Sequence, residues 1–461
     1  MGKRRVLSPN SVWDAAAVEE AFKAAGANTR HIPRMYNHLI RHPGSTWRDV
    51  PDLPKAAVAV LDAVFALHTT KLLGAQRSSD GETTKLLVQL QDGLQVEAVI
   101  MEYDNTERYA AAAAADQEQR EQQQEQDAAH AQPPHAAEQR GQQQAQQGQQ
   151  PKQQAGSDED DFHDAMSSLG EVYSLQGGRR ATLCVSSEVG CAMGCTFCAT
   201  GTMGIIADLT AGEIVEQLVH ASSVARIRNI VFMGMGEPLN NYSAVKAAVS
   251  MMTDPRAFGL RRKKVTVSTV GVVPRLLQLA DDMPGVSLAL SLHAPTQELR
   301  QTIVPSAKAF KLDRLMGAVD EYQRRTRQSV FIEYVMLGPD VNCTEEHAHQ
   351  LGALLRGRDV LVNLIPWNPI LSPSISFRAP AEGATAAFHR ILRHQYGVNC
   401  TIRQEKGQDI SGACGQLVLE HGGQAGASGG KGGCGGGKGG LTDVEDLLPP
   451  PAAPAATAAA R

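Results

Sequence analysis

From Arg179 to Leu417 the chain alternates short apolar runs with longer amphipathic stretches. The runs ATLCV, NIVFM, KVTVST, VSLALSL, SVFIEYVML and VLVNLI are too short for helices and predict six strands. Between them, segments such as TAGEIVEQLVHASSVA and EEHAHQLGALLRG carry apolar residues at helical spacing. Strand–helix alternation of this kind predicts parallel βαβ units with right-handed crossovers. Six repeats suit either a partial barrel or an open doubly wound sheet. Upstream, residues 11–75 read as helical: VWDAAAVEEAFKAAG ends at Gly26, and LPKAAVAVLDAVFALHTTKLL repeats the pattern. Then TTKLLVQLQDGLQVEAVIMEYD alternates apolar and polar residues about Asp92-Gly93, which predicts a β-hairpin.

The polar stretches complete the division. Residues 105–178 hold QEQREQQQEQ, AQQGQQPKQQ and SDEDD with few large apolar residues, so disorder is expected there. Residues 418–461 are a glycine-, proline- and alanine-rich tail that contains Cys434. The expected organisation is a helical domain over 1–78, a hairpin over 79–104, the acidic insert, an α/β core over 179–417 and the tail. Net charge is −5, but the acidic insert masks two mildly basic blocks, 1–78 and 179–417. Such blocks suit a nucleic-acid partner without demonstrating one. No apolar run reaches the ~18 residues of a spanning helix. The basic start MGKRRVLSPN leads into Asp14, Glu19 and Glu20 rather than an apolar signal core. A cytoplasmic protein is expected, an organelle not being excluded. Eight cysteines in a long chain of this kind point to metal or redox chemistry rather than a disulfide framework.

Four of those cysteines lie in CVSSEVGCAMGCTFCATGTMG, and Cys191, Cys195 and Cys198 form C-x-x-x-C-x-x-C after the first core strand. Thiolates favour zinc or iron–sulfur clusters. A structural zinc loop usually offers two paired knuckles, and no second pair is obvious. Three thiolates on a 4Fe–4S cluster leave one iron open for another ligand. Further candidates end other strands: Gly236 and Glu237 in MGMGEP, Ser268 in KVTVS, Ser291-Leu292-His293, and Asn368 in IPWNP. Each alone reads equally as a turn residue or a satisfied core group. Cys414, between Ala413 and Gly415, has the small neighbours of a mobile loop, whereas Cys343 and Cys400 have no motif around them. The basic run Leu260–Lys264 is either a solvated strand entrance or a phosphate contact.

C-x-x-x-C-x-aromatic-C, with Phe197 before the last cysteine, resembles the radical S-adenosylmethionine (SAM) enzymes. More narrowly, CVSSEVGCAMGCTFCATG, FMGMGEPLNN, VTVSTVG, SLHAP, NLIPWNP and DISGACGQL, in this order, resemble the RlmN/Cfr group of RNA adenine methyltransferases. The resemblance implies a partial (β/α)6 radical SAM barrel, with an RNA-binding helical domain in front of it. It implies a 4Fe–4S cluster on Cys191, Cys195 and Cys198, and SAM held by Gly236, Glu237, Ser268, Ser291, Leu292, His293 and Asn368. It implies that Cys414 accepts a methyl group, that Cys184 resolves a protein–RNA crosslink by forming a disulfide, and that a glutamate acts as base. Glu97 in QVEAVIM matches the local pattern for that base, and Glu171 only the distance to Cys184; Glu97 is preferred because the insert corrupts distance. The implied product is adenine methylated at C2, with C8 methylation as the alternative on the same scaffold. A non-enzymatic iron–sulfur RNA-binding protein is the reading from outside enzymology. The implied partners are ribosomal RNA, for some members transfer RNA, and an electron donor such as flavodoxin or ferredoxin. The expected state is a monomer.

Overall fold

Asp14 starts the first helix by accepting the Ala17 N–H at 3.2 Å, as a helix N-cap does. The computed structural model describes residues 5, 7–104, 179–338, 341–370, 375, 377–404 and 406–417. The insert 105–178 with Glu171, and the tail 418–461 with Cys434, lie outside them. The N-terminal region pairs β1 (Asn10–Ser11) in parallel with β2 (Phe65–Ala66) around helices α1 (Ala15–Ala24), α2 (His31–Arg41) and α3 (Lys55–Val64). Val18, Phe22, Met35, Tyr36 and Leu61 are their buried side chains.

The helical reading fails beyond Val64. Lys71–Arg77 is a strand, β3, antiparallel to β4 (Thr83–Gln89), which is antiparallel to β5 (Gln95–Asp104). The expected hairpin is therefore two strands of a three-stranded meander, and strand structure starts at Lys71. The physical reason lies at Thr69 and Thr70. Their backbone N–H groups and hydroxyls all donate to the carboxylate of Glu216, which is fully buried and also receives the Ser11 hydroxyl. That anchor pulls the chain out of a helical path. β3 is exposed throughout, Leu72 and Leu73 included, so its apolar residues do not report a buried helix face. The hairpin turn forms as expected: Gly93 has φ +87° and Leu90 N–H donates to Leu94 O at 2.7 Å.

The core strands are β6 (Arg179–Cys184), β9 (Ile227–Phe232), β10 (Val265–Thr269), β11 (Ser287–Ser291), β12 (Val330–Met336), β13 (Val360–Pro366) and β14 (Asn399–Ile402), all parallel. They neighbour one another in chain order, with β5-β4-β3 continuing beyond β6. Unbroken sequential order is that of a barrel wall; a doubly wound sheet reverses at a switch point. β14 is the seventh parallel strand, and NCTI is too short and polar to stand out in the sequence. Among the described residues, α4 (Ala199–Met203), α5 (Ala211–Ser222), α6 (Tyr242–Thr253), α7 (Val273–Asp282), α8 (Gln297–Ile303), α9 (Leu312–Thr326), α10 (Glu345–Leu355) and α11 (Ala384–Tyr396) lie between or after these strands. Strand β7 (Glu188–Gly190) pairs antiparallel with β8 (Ile205–Asp208) outside this sheet.

The described residues fall into two units, one within 1–101 and 181–417 and the other within 102–104 and 179–180. In the second, the Arg180 guanidinium lies 5.4 Å over the Tyr103 ring. In the first, Arg5 bridges the hairpin and α5, donating to Asp92 at 2.6 Å and Glu213 at 2.8 Å. Residues 1–78 thus pack within the same unit as the core rather than as a separate body. The basic run Arg262–Lys264 is a 3-10 turn that enters β10 from its N-terminal end. Among the described residues no helix is long and apolar enough to cross a membrane.

Candidate active site

The three clustered cysteines sit on a loop that β7 and β8 close like a clasp. Gly190 has φ +76°, and a Cβ placed there would stand 1.9 Å from the Gly204 carbonyl oxygen. That carbonyl accepts the Cys191 N–H at 2.9 Å, so the clasp tolerates only glycine. Across the loop, Gly201 approaches the Cys195 carbonyl so closely that a Cβ would come within 2.6 Å. Gly190→Ala is expected to cost about 1–3 kcal/mol of stability and to lower iron incorporation. Thermal unfolding and iron analysis on reconstituted protein check both; unchanged values would contradict the clasp.

Other elements brace the same loop. Thr196 N–H donates to Ile303 O at the end of α8, at 3.0 Å. The Trp367 indole donates to Phe197 O at 3.1 Å. Ala199 N–H donates to Gly415 O at 2.8 Å, and the Thr200 hydroxyl to Leu417 O at 2.6 Å. These last two bonds tie the C-terminal DISGACGQL loop to the cysteine loop, although more than two hundred residues separate them.

A cavity opens between the two loops and the carboxyl ends of the strands. Its empty volume, open mouth included, is about 970 Å³. Cys191, Cys195 and Cys198 line one part of it, and Gly236 and Glu237 adjoin them. Ser268, Ser291 and His293 line the strand ends, with Asn368 and Cys414 on the remaining wall. Ten of the expected site residues therefore share one cavity. Leu292, Cys184 and Glu97 do not line it. Leu292 is fully buried and serves through its main chain, donating to Glu333 O at 3.1 Å. Cys184 is buried at the end of β6, close enough to Cys414 for that thiol to add to the cost of charging it. Glu97 is buried on β5, its carboxylate 3.0 Å from the Lys85 ammonium. Its carbonyl accepts the Ser186 hydroxyl at 2.6 Å, two residues past Cys184.

Local bonds fix the state of several groups. Glu237 accepts from Val270 N–H at 2.9 Å and Leu239 N–H at 3.0 Å, so its carboxylate cross-braces the ends of β9 and β10. Burial nonetheless pushes its pKa up. Glu188, which accepts the Glu237 N–H at 2.8 Å, is raised by burial to about 8. His293 has φ +61°, and its Nδ1 accepts the Val335 N–H at 3.1 Å, leaving Nε2 to carry the proton. Burial lowers its pKa to about 3, so the ring is neutral at physiological pH. Ser268 and Ser291 hydroxyls lie 3.3 Å apart. Asn368 donates to Cys414 O at 3.2 Å and accepts from Gln408 at 2.8 Å. Cys414 is exposed and lines the cavity, and desolvation, then Glu333 and Cys198, raise its pKa while Arg403 opposes them.

The donor set fits an iron–sulfur cluster. The three thiols are free and half-buried, on one cavity. Among the described residues no three His, Cys, Asp or Glu side chains converge on a single metal ion. Cys191, Cys195 and Cys198 would each ligate one iron of such a cluster. Desolvation raises all three thiols, Cys191 to about 12, so loading must expel protons. Cys184 and Cys414 are likewise free thiols in this structure, so the expected disulfide is not present in it.

Charged residues at or near the cavity that were not singled out from sequence include Glu333 and Arg300. Glu333 lines the cavity in the layer Ser291–Glu333–Asn363–Thr401, formed by register partners on β11 to β14. Asn363 donates to it at 2.9 Å and Thr401 donates to Asn363 at 2.8 Å. A charge inside the apolar run VFIEYVML was the available signal. Arg300, on α8, is 1 % exposed and has no comparable signal, since ELRQTI reads as an ordinary solvated turn of helix.

Residues 185–351 match the family model of the radical SAM superfamily. The ribosomal RNA large subunit methyltransferase N of Nitrosopumilus maritimus is 35% identical over 375 residues, 80% of this chain and 86% of that protein. The dual-specificity RNA methyltransferase RlmN of Alcanivorax borkumensis is 44% identical over 260 residues, 54% of this chain and 67% of that protein. The crystal structure of a radical SAM methyltransferase from Sphaerobacter thermophilus covers 89% of this chain and 99% of its own, with 31% identity and a TM-score of 0.68.

Proposed function

Since the chain belongs to the RlmN family of radical SAM RNA methyltransferases, an enzyme family that uses a 4Fe–4S cluster and SAM, we propose that it methylates C2 of an adenine in large-subunit ribosomal RNA and also in transfer RNA. One observation carries the reading: Cys414 lines the same cavity as Cys191, Cys195 and Cys198, with Cys184 as its electrostatic neighbour. C2 of adenine is an aromatic C–H without a lone pair, so direct displacement by a methyl sulfonium is unsuitable. When bound, the cluster supplies one-electron cleavage of SAM, which makes such a carbon reachable. Cys414 carries the methyl group as a thioether after displacing it from one SAM. Gly236, Glu237, Ser268, Ser291, Leu292, His293 and Asn368 hold the SAM molecule, and the neutral His293 offers its Nε2–H as a donor. Glu97 takes the C2 proton once the carbon–carbon bond has formed. Cys184 thiolate then attacks the Cys414 sulfur; the S–C bond breaks with its electron pair passing to the departing carbon, which takes up a proton to become the methyl group, and the disulfide left behind is reopened by an external reductant. A carrier of the flavodoxin or ferredoxin type supplies electrons to a monomeric, cytoplasmic enzyme. The helices of residues 1–78 and the basic surface of the core receive RNA whose target base is unstacked.

Nucleoside mass spectrometry tests this. Reconstituted enzyme, SAM, reductant and either ribosomal or transfer RNA should give 2-methyladenosine in both RNAs. 8-Methyladenosine instead would overturn the regiochemistry, and no methylated adenosine would overturn the activity.

A further inference from the structure

Among the described residues Arg300 is a buried cation without a carboxylate partner. Among the described residues its guanidinium donates to three carbonyls only: Leu292 O at 3.0 Å and Ser291 O at 3.2 Å at the end of β11, and Val270 O at 2.7 Å just past β10. No ion pair with Asp or Glu accompanies them. Desolvating a cation costs several kcal/mol unless a counter-charge compensates. Carbonyl dipoles satisfy the N–H groups but leave the net charge unanswered. Cys195 packs against the apolar cluster of Phe197, Ile303 and Val304 at the end of α8, interacts electrostatically with Arg300, and becomes an anion when it takes a metal. α8 also holds the cysteine loop directly, through Thr196 N–H and Ile303 O at 3.0 Å, so this proximity is built into the fold.

We propose that Arg300 is the charge partner of the thiolate-bound cluster and holds its reduction potential up. The inference rests on a cluster standing on Cys191, Cys195 and Cys198. Three thiolates make the resting cluster an anion, and reduction adds a further negative charge. A fixed cation behind Cys195 stabilises the reduced state more than the oxidised one, because attraction grows with the charge it meets. Low dielectric around a fully buried guanidinium keeps that preference from being screened. Arg300 touches neither substrate nor reacting atoms in this account; it is a positioning and tuning residue. Its three hydrogen bonds also order the strand ends at Ser291 and Val270, so a loss of activity alone would not separate tuning from architecture.

The midpoint potential separates them. Wild type, Arg300→Lys, Arg300→Gln and Arg300→Met, each reconstituted in full length, are titrated with dithionite and followed by EPR of the reduced cluster. The Gln and Met variants should shift the reduction equilibrium at least tenfold toward the oxidised form, about 59 mV more negative for one electron. Arg300→Lys keeps the charge and should shift by less than half as much, although it loses hydrogen bonds. Equal potentials for Lys, Gln and wild type would overturn the proposal and leave a purely architectural residue, as would a shift to more positive values. If Met fails to load iron, the Lys–Gln comparison decides. A wild-type protein without a 4Fe–4S signal would instead refute the cluster assignment itself.

Discussion

Cys414→Ala should lower methyl transfer by more than about a thousand-fold, the scale on which removal of a covalent nucleophile acts, while SAM binding and iron content stay within twofold of wild type. The selectivity of the loss comes from how the loop is held. Cys414 contributes its carbonyl to Asn368 and its thiol to the cavity. The loop's own bracing comes from neighbours: Ala413 N–H donates to Gln416 Oε1 at 3.1 Å, Gln416 donates to Pro369 O at 2.8 Å, and Gly415 O and Leu417 O fasten the loop to α4. Alanine keeps all of these and removes only the sulfur that lines the cavity. Transfer of a labelled methyl group from SAM to protein, in the absence of RNA, is the direct measurement. A variant that still methylates RNA within tenfold of wild type would mean the carbon travels without Cys414.

The barrel and most of the cavity were legible in sequence because both depend on local order. Six strands announce themselves by apolar runs, and the cavity residues stand where those strands end. The open choice between barrel and doubly wound sheet needed strand neighbours, which a linear pattern does not contain. β3 was misread because Thr69 and Thr70 leave the helical path for a partner, Glu216, almost 150 residues away. Arg300 was illegible for the same reason: its meaning comes from three distant carbonyls and a thiol, not from its own helix. Cys184 and Glu97 depended on the family pattern alone, and both stand off the cavity wall. That leaves their roles to experiment, and Cys184 offers the sharper one.

Cys184→Ala is expected to convert a catalyst into a trap. Under single-turnover conditions the variant should consume SAM at a near-normal rate and then stop, with up to one RNA covalently held per enzyme. Multiple-turnover product should fall at least about a hundredfold. Under the proposed mechanism the thiol's surroundings slow the resolving step. Burial, followed by the nearby Cys414, pushes Cys184 up to about 12, while Arg403 and a main-chain hydrogen bond from Met233 oppose it. In the crosslinked state Cys414 is a neutral sulfur, so its contribution disappears and desolvation remains the obstacle. The reactive thiolate is then a minor species at neutral pH, and its fraction grows about tenfold per pH unit well below the pKa. Wild-type resolution of preformed crosslink should therefore accelerate steeply from pH 7 to 9, and the variant should show no such rise. Denaturing gels of enzyme with labelled RNA, taken across that range, read both effects. A variant that turns over like wild type and leaves no shifted band would remove Cys184 from the reaction and require another group to release the product.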